Sequence, residues 1–401
     1  MTQSSAATAA RTLPEGFGCL YFDRMNQRHK AWIGTSVVVA FAVAMGLRLI
    51  SKPPHSSVAA APEIGQDEIA ATLAALKPPK RQRPVIAVIG INDATETTDY
   101  VMPTGILRRA DVADVLMVAT AAGPVKLYPA LTVEPDTTIA GFDASHPDGA
   151  DYVIVPAMIR DDDPAAVQWI KGQAAKGAIV IGVCVGVKVV AAAGLLDNKR
   201  GTAHWYVLKE LREKHPSMQY EPNRRLVADR GVVTTTGITA SMPMALTLIE
   251  AIAGRDKAEA VARDLGVDHW DARHASDAFK LTLPFALTVM GNRAALWNRE
   301  QRSVEVFPNI DEVSLALVAD AWSRTYRSRA ITFARSAGTV TTRNGIRLVP
   351  DNVSADQPQE DVVAVDRAPA QALDAALSSI ESRYGPRTRY IVAMQLEYPR
   401  L

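Results

Sequence analysis

Gly182-Val183-Cys184-Val185-Gly186 is the stretch whose reading decides the fold. Residues 178–183 before it form a short apolar run of strand character, and residues 187–196 after it read as a helix. A strand that enters a small-residue turn and leaves as a helix is a nucleophile elbow, which presents one side chain above a sheet. Glycines on both sides let backbones approach closely, and the amides of the following helix point at the sulfur and favour thiolate over thiol. The same five residues also suit a small buried core cysteine, where free thiols often sit.

Outward from the elbow the pattern stays α/β. Residues 85–90 and 152–156 are apolar runs without alternation, as buried parallel strands should be. Residues 103–113 read as a helix, 115–119 as a strand and 164–176 as a helix. Strands alternating with helices of this length predict a flavodoxin-like, doubly wound parallel sheet. Asp161-Asp162-Asp163 before Pro164 reads as a helix entry with N-terminal carboxylates rather than a metal site.

A second signal lies in the C-terminal third. Shifted by 215 residues, positions 109–136 meet 324–351 without a gap, with seven of 28 residues identical. With small further shifts, Asp151-Tyr-Val-Ile-Val meets Asp361-Val-Val-Ala-Val, and residues 179–183 meet 390–394. This predicts a truncated second α/β unit over residues 303–401, with 303–306 as its first strand. Gln395 then falls at the position of Cys184 and Ser314 at that of Asp99, so the second unit is expected to be chemically empty.

The chain has 401 residues, 48% hydrophobic and 22% charged, an ordinary globular balance. A net charge of +1 leaves no electrostatic footprint for nucleic acid. Two cysteines, Cys19 and Cys184, exclude a disulfide framework. After a tail at 1–30, residues 31–50 open with seventeen uncharged residues and read as one transmembrane anchor; a cleaved signal is the alternative. Arg24, Arg28 and Lys30 before it against Arg48 and Lys52 after it put the body outside the cytoplasm, periplasmic or extracytoplasmic. Residues 51–83, rich in proline and with a short helix at 66–76, read as a linker, 84–255 as the α/β domain and 256–302 as a helical connector.

Cys184-Val-Gly, then Ala192-Ala-Gly-Leu-Leu-Asp197, then Gly201-Thr-Ala-His-Trp205 together resemble the ThiJ/PfpI (class I glutamine amidotransferase-like) superfamily. The resemblance is nearest to the amidase-like domain of GlxA-type regulators of the AraC family. Further matching stretches are Asp151–Pro156, Thr235-Thr-Gly-Ile-Thr-Ala240 and Met244-Ala-Leu246 leading to Glu250 and Gly254, over residues 84–263. The resemblance implies that an acid four residues before a proline reaches the cysteine, which is the spacing of Asp99 and Pro103. A helix N-cap is the other reading of Asp99. His204 reads as a base or as a structural histidine. The backbone amides of Val185 and Gly186 would form an oxyanion site.

The chain departs from these relatives in three places. Val185 brings no side-chain donor where Thr, Ala or His is frequent. Pro243 stands where such regulators often carry Asp. After residue 255 the chain does not continue into a basic helix-turn-helix domain. His215, His269 and His274 do not sit at metal-ligand spacing, and no phosphate loop or dinucleotide fingerprint occurs, so no cofactor and no metal are expected. The functional expectation is a membrane-anchored protein using Cys184 on small electrophilic substrates, by hydrolase, hydratase or glyoxalase-like chemistry. The alternative is a non-enzymatic metabolite or redox sensor. Expected partners are a small-molecule substrate or ligand and the membrane through the N-terminal helix, with no nucleic acid. The body is expected as a homodimer or as an intramolecular pseudo-dimer.

Overall fold

Val85-Ile-Ala-Val-Ile-Gly90 has no polar alternation, so the strand it forms needs cover on both faces. All six residues are buried. The structure, a computed structural model, describes residues 61–295, 299–354 and 362–398. The predicted anchor at 31–50 and the tail before it lie outside these residues. No helix among the described residues is long and apolar enough to cross a membrane.

In chain order the first half comprises α1 (Gln66–Ala75), β1 (Val85–Gly90), β2 (Asp93–Glu96), α2 (Thr97–Ala110), β3 (Asp114–Ala119), β4 (Val125–Tyr128), β5 (Thr132–Glu134), β6 (Thr137–Thr138), α3 (Ile139–Ser145), β7 (Tyr152–Val155), α4 (Pro164–Ala175) and β8 (Ile179–Gly182). After the elbow come α5 (Val187–Ala192), β9 (Arg200–Gly201), α6 (Leu208–Lys214), β10 (Gln219–Tyr220), β11 (Leu226–Asp229), β12 (Val232–Thr235), α7 (Ser241–Ala253) and α8 (Arg255–Leu265). The remainder is α9 (Leu283–Ala294), β13 (Glu300–Glu305), α10 (Glu312–Ser323), β14 (Ser328–Ala334), β15 (Val340–Thr341), β16 (Arg347–Leu348), β17 (Asn352–Val353), α11 (Pro369–Tyr384) and α12 (Pro386–Leu396).

The main sheet runs β11-β12-β8-β7-β1-β3-β6, parallel except for the hairpin strand β11. This is the flavodoxin-like α/β arrangement that the alternation predicts. Asp163 caps α4, accepting from the amides of Ala165 and Ala166, so the acidic triplet is indeed a helix entry.

The 215-residue offset recurs in three dimensions. β13, α10 and β17 begin 215 positions after β1, α2 and β6. Asp111 and Tyr326, and likewise Gly123 and Gly338, lie one offset apart and all have positive φ. Asp136 accepts from the amide of Met117 at 2.6 Å; its counterpart Asp351 accepts from that of Thr332 at 2.8 Å. The first strand of this second stretch starts at residue 300, three residues earlier than expected. Its parallel sheet is short, β13-β14-β17, with one bridge from Ser303 to Val362.

Past that bridge the sequence alignment needs correction. Residues 390–394 are helical, inside α12, and do not form a counterpart of β8. Gln395 is therefore not at the position of Cys184. The helix pair α11–α12 instead repeats α7–α8 at an offset of 131. Gly254 (φ 87°, ψ 168°) and Gly385 (φ 84°, ψ 168°) link the two helices of each pair. Left-handed residues, Gly266 and Glu397, close them. Ala245, Leu246, Ile249, Glu250, Val261, Ala262 and Leu265 recur as Ala376, Leu377, Ile380, Glu381, Val392, Ala393 and Leu396. The apolar residues of both sets are buried except Ala393, which is half-buried, so the recurring letters mark the packed faces.

The two stretches meet about an approximate two-fold axis. β5 and β16 pair antiparallel with Val133 opposite Leu348, 215 positions on, which joins the hairpins into one five-stranded sheet. α2 and α10 pack on each other and both are buried almost all round, as helices between layers must be. Gly105 makes this possible, because a Cβ there would meet Glu312 Oε1 at 2.6 Å. The supposed linker is also part of the fold. Leu76 is fully buried and accepts from Tyr152 Oη, and the amides of Lys80 and Arg81 donate to Asp151. Of the connector, α8 packs on α7 within the first half's core, and residues 257–279 hold no helix-turn-helix pair.

Candidate active site

Cys184 has φ +58°, a left-handed conformation that costs a non-glycine residue about 1–3 kcal/mol. The elbow is held from below by Gly186. A Cβ at that position would meet the Val155 carbonyl at 2.1 Å, so no other residue fits there. The Cys184 amide donates to Thr235 Oγ1 at 3.3 Å. The Gly186 amide donates to the Val183 carbonyl at 2.8 Å, which removes it from the expected oxyanion pair. Val185 is half-buried.

Asp99 lies in the first turn of α2 and does not cap it. The cap is Glu96, whose carboxylate accepts from the Asp99 amide at 2.6 Å. Asp99 is fully buried, and its Oδ2 accepts from the Ala157 amide at 3.1 Å. Oδ1 has no hydrogen bond of regular geometry, and the Cys184 sulfhydryl is in loose hydrogen-bonding range of the carboxyl. The structure thus brings Asp99 to Cys184. Pro103 has no N–H to offer the carbonyl of Asp99, which loosens the helix where the acid must turn towards the sulfur.

Electrostatics around the pair run against a free thiolate. Burial pushes the Cys184 thiol well up from its ordinary value, and the Asp99 and Glu96 carboxyls add to the rise. Burial also pushes Asp99 up to about 7, opposed by the Ala157 amide and Arg324. Glu96 rises well above the carboxylate range for the same reason, with Asp320 and Asp99 adding to it. Three carboxyls share one guanidinium. Arg324 Nη2 bonds Glu96 Oε1 at 2.7 Å, and its Nε lies 2.7 Å from Asp320 Oδ1, off the line of a hydrogen bond. Thr98 Oγ1 donates to Asp320 Oδ2 at 2.8 Å.

His204 is in the same wall but does not carry a base's geometry. Its Nε2 donates to the Gln395 carbonyl at 3.0 Å and its Nδ1 accepts from the Tyr206 amide at 3.1 Å. Burial lowers its pKa, so a neutral ring fits both bonds. Trp205 is held likewise: Nε1 donates to the Met394 carbonyl and its amide to Glu397 at 2.7 Å. Glu397 also accepts from the Gly237 amide at 2.8 Å. A Cβ on Gly237 would lie 2.6 Å from that of Glu397, so the glycine lets the end of α12 close over the site.

Sequence reading missed Glu96, Asp320, Arg324, Thr235 and Glu397. The one signal for Arg324 is its identity with Arg109 across the offset. These two arginines exchange roles about the two-fold: Arg324 reaches Glu96, the cap of α2, and Arg109 reaches Asp311, the cap of α10, at 2.5 Å. Ser314, at the position of Asp99, donates to the Arg367 carbonyl. Among the described residues no group of His, Cys, Asp and Glu is arranged to hold a metal.

A strained cysteine on a strand–helix turn facing a buried acid defines a class of nucleophile-elbow α/β proteins, and the comparisons name it. Residues 85–251 match the DJ-1/PfpI family, so the chain carries a DJ-1/PfpI domain. An isonitrile hydratase of Pseudomonas putida is 38% identical over 105 residues, 26% of this chain and 44% of that protein. The HTH-type transcriptional regulator GlxA of Rhizobium meliloti is 37% identical over 81 residues, 20% of this chain and 25% of the regulator. Both matches thus span less than half of the relative. The crystal structure of Drosophila melanogaster DJ-1beta superposes with a TM-score of 0.42 at 22% identity, over 47% of this chain and all of that one.

Proposed function

We propose that the protein performs cysteine chemistry on a small electrophile, with Cys184 as nucleophile and Asp99 as its proton partner. The observation that carries this reading is the strained Cys184 held against an acid whose pKa is about 7. At neutral pH Asp99 is part ionised, the best compromise for a group that must both take and give a proton. The thiol is protonated at rest, so the thiolate forms only as Asp99 takes its proton. Sulfur then bonds to an unsaturated carbon, and the proton passes from Asp99 to the substrate. Water adds to that carbon, the carbon–sulfur bond breaks, and the sulfur recovers its proton. The net reaction is addition of water, the class of reaction in the name of the Pseudomonas putida relative.

A second reading is a sensor whose thiol reacts once with a small oxidant: a peroxide gives one oxygen to the sulfur, forming sulfenic acid, and leaves as the alcohol or water. The 3% exposure of Cys184 and its raised pKa weigh against it, because oxidation follows thiolate character and exposure.

Turnover of a panel of small nitriles, isonitriles and dicarbonyls by the full chain, beside Cys184→Ser and Asp99→Asn, tests the first reading. Hydration lost in both variants supports it. No turnover, with stoichiometric oxidation of Cys184 by peroxide, selects the sensor. A thiol inert to electrophile and oxidant alike overturns both.

We take residues 300–396 to be a reduced duplicate of the first unit, which stands in for a second subunit. The charges around residues 31–50 put an anchored body outside the cytoplasm, to be checked by fractionation and protease protection.

A further inference from the structure

Beside the reactive centre lies a cleft of about 620 Å³, floored in part by Arg324 and Gln395 and walled by the β4–β5 hairpin, α9 and the start of β14. Its charge is one-sided. Lys126, Arg293, Arg299, Arg327 and Arg329 join Arg324 in lining it, against Asp93 and Glu300. Glu300 is already neutralised, since Arg383 Nε and Tyr384 Oη donate to it at 2.6 and 2.5 Å. Arg324 is spent on Glu96 and Asp320. No carboxylate among the described residues pairs with Lys126, Arg299, Arg327 or Arg329. Arg327 is held over the Tyr384 ring at 5.2 Å, and its Nε is buried without an acceptor. Arg293 is stacked on Tyr326 at 4.5 Å. Arginines held by aromatic faces keep their donor edges oriented, as recognition of carboxylate or phosphate requires.

We infer that this cleft binds a small anion, a carboxylate or phosphate group, next to the Cys184 centre. The surplus of cations, two of them held against aromatic rings, raises the local anion concentration there. Arg324 links the two places, because the guanidinium that floors the cleft also acts on the Cys184 thiol and bonds the acid that caps the turn of Asp99. An anion-bearing electrophile would be steered by the cleft and react at the sulfur. The inference rests on the cysteine reading only in calling the anion a substrate; the binding site stands on the cleft.

Isothermal titration of inorganic phosphate, and separately of succinate, into the full chain at constant ionic strength tests it. Saturable binding of one or both below about 10 mM is expected, weakened about tenfold or more in Lys126→Glu/Arg329→Glu. The same binding is expected in Cys184→Ser and in the control Lys209→Glu, whose side chain is 89% exposed on α6. A preference for phosphate or for succinate names the headgroup. Absence of saturable binding by either anion, or binding indifferent to the double reversal, overturns the inference. Because Cys184→Ser must bind as well as the unaltered chain, failure of the thiol chemistry leaves this result standing, and the reverse.

Discussion

The two stretches related by 215 residues are alike through their first strand, helix and hairpin and part company at the third strand. In the first, β7 and β8 lead through the elbow to β12 before the α7–α8 pair closes the core. In the second, a single bridge at Val362 leads almost directly to α11–α12. The helix that makes the interface survives in both; the strands that carry the nucleophile survive in one. The difference teaches that interface and chemistry are separable in this fold. It also shows what one chain permits that two identical chains do not. In an isologous dimer Arg109–Asp311 and Arg324–Glu96 would be the same contact twice. Here each is free to differ, and only the second touches a reactive centre.

That asymmetry gives the largest expected effect. Arg324→Leu leaves Glu96 and Asp320 facing each other, with side chains 7% and 0% exposed. Removing one partner from a buried pair costs about 3–5 kcal/mol. Arg109→Leu should cost less, since Asp311 and Asp264 are 18% and 39% exposed and can turn to water, while the buried Glu312, 4.0 Å from Arg109, keeps its bonds from Asn344. Urea unfolding of both variants makes the comparison. Equal losses would mean the two halves of the interface are energetically equivalent, and the distinction drawn here fails.

The next effect is pH-dependent. Asp99 is raised from 3.8 to about 7 in the fold, so the native state holds a proton that the unfolded chain has released. Its contribution to stability is complete below 3.8 and is lost as pH rises through about 7. Glu96 works in the same direction. Between those limits the unaltered chain should lose at most about 4 kcal/mol relative to Asp99→Asn, which does not titrate. Parallel stability–pH curves for the two would show that Asp99 is not the acid whose proton the fold retains.

Much of the first stretch was legible because its strands are short unbroken apolar runs and its elbow is spelled by small residues. The 215 offset was legible because no insertion falls between 109 and 136. The α7–α8 repeat was hidden by the missing strands, which change the offset to 131, and by Tyr390-Ile-Val-Ala-Met394, whose composition suits a strand. Gly385 and Pro386 before it start a helix whose buried residues go all round, a case in which periodicity cannot arbitrate. The acid cluster was illegible for another reason: Thr98–Asp320 and Glu96–Arg324 join residues 222 and 228 positions apart. Nothing local to either partner announces such a contact. Asp99 was found through resemblance, and its burial only through structure.

Closure by the C-terminal helix pair predicts a smaller effect on stability and a larger one on reactivity. Gly237→Ala forces a Cβ against Glu397, and Glu397→Ala removes the acceptor for the Trp205 and Gly237 amides. Each should cost about 1–3 kcal/mol. Each should also speed alkylation of Cys184 under native conditions several-fold. Unchanged alkylation in both would mean that the end of α12 does not control access to the thiol.

The smallest effect isolates the elbow itself. Cys184→Ala and Cys184→Gly both delete the sulfur, and they differ in one methyl group at a residue with φ +58°. Glycine adopts that conformation without steric cost, whereas alanine carries the strain that cysteine carries, so the glycine variant should be the more stable by about 1 kcal/mol. Elsewhere in a packed core the order is reversed, because glycine loses more backbone entropy and buries less. The sign alone therefore decides. A more stable glycine variant means the fold holds the turn in place at a cost, which is what a site kept for chemistry looks like. A more stable alanine variant means that the turn is relaxed and that Cys184 is one more core residue.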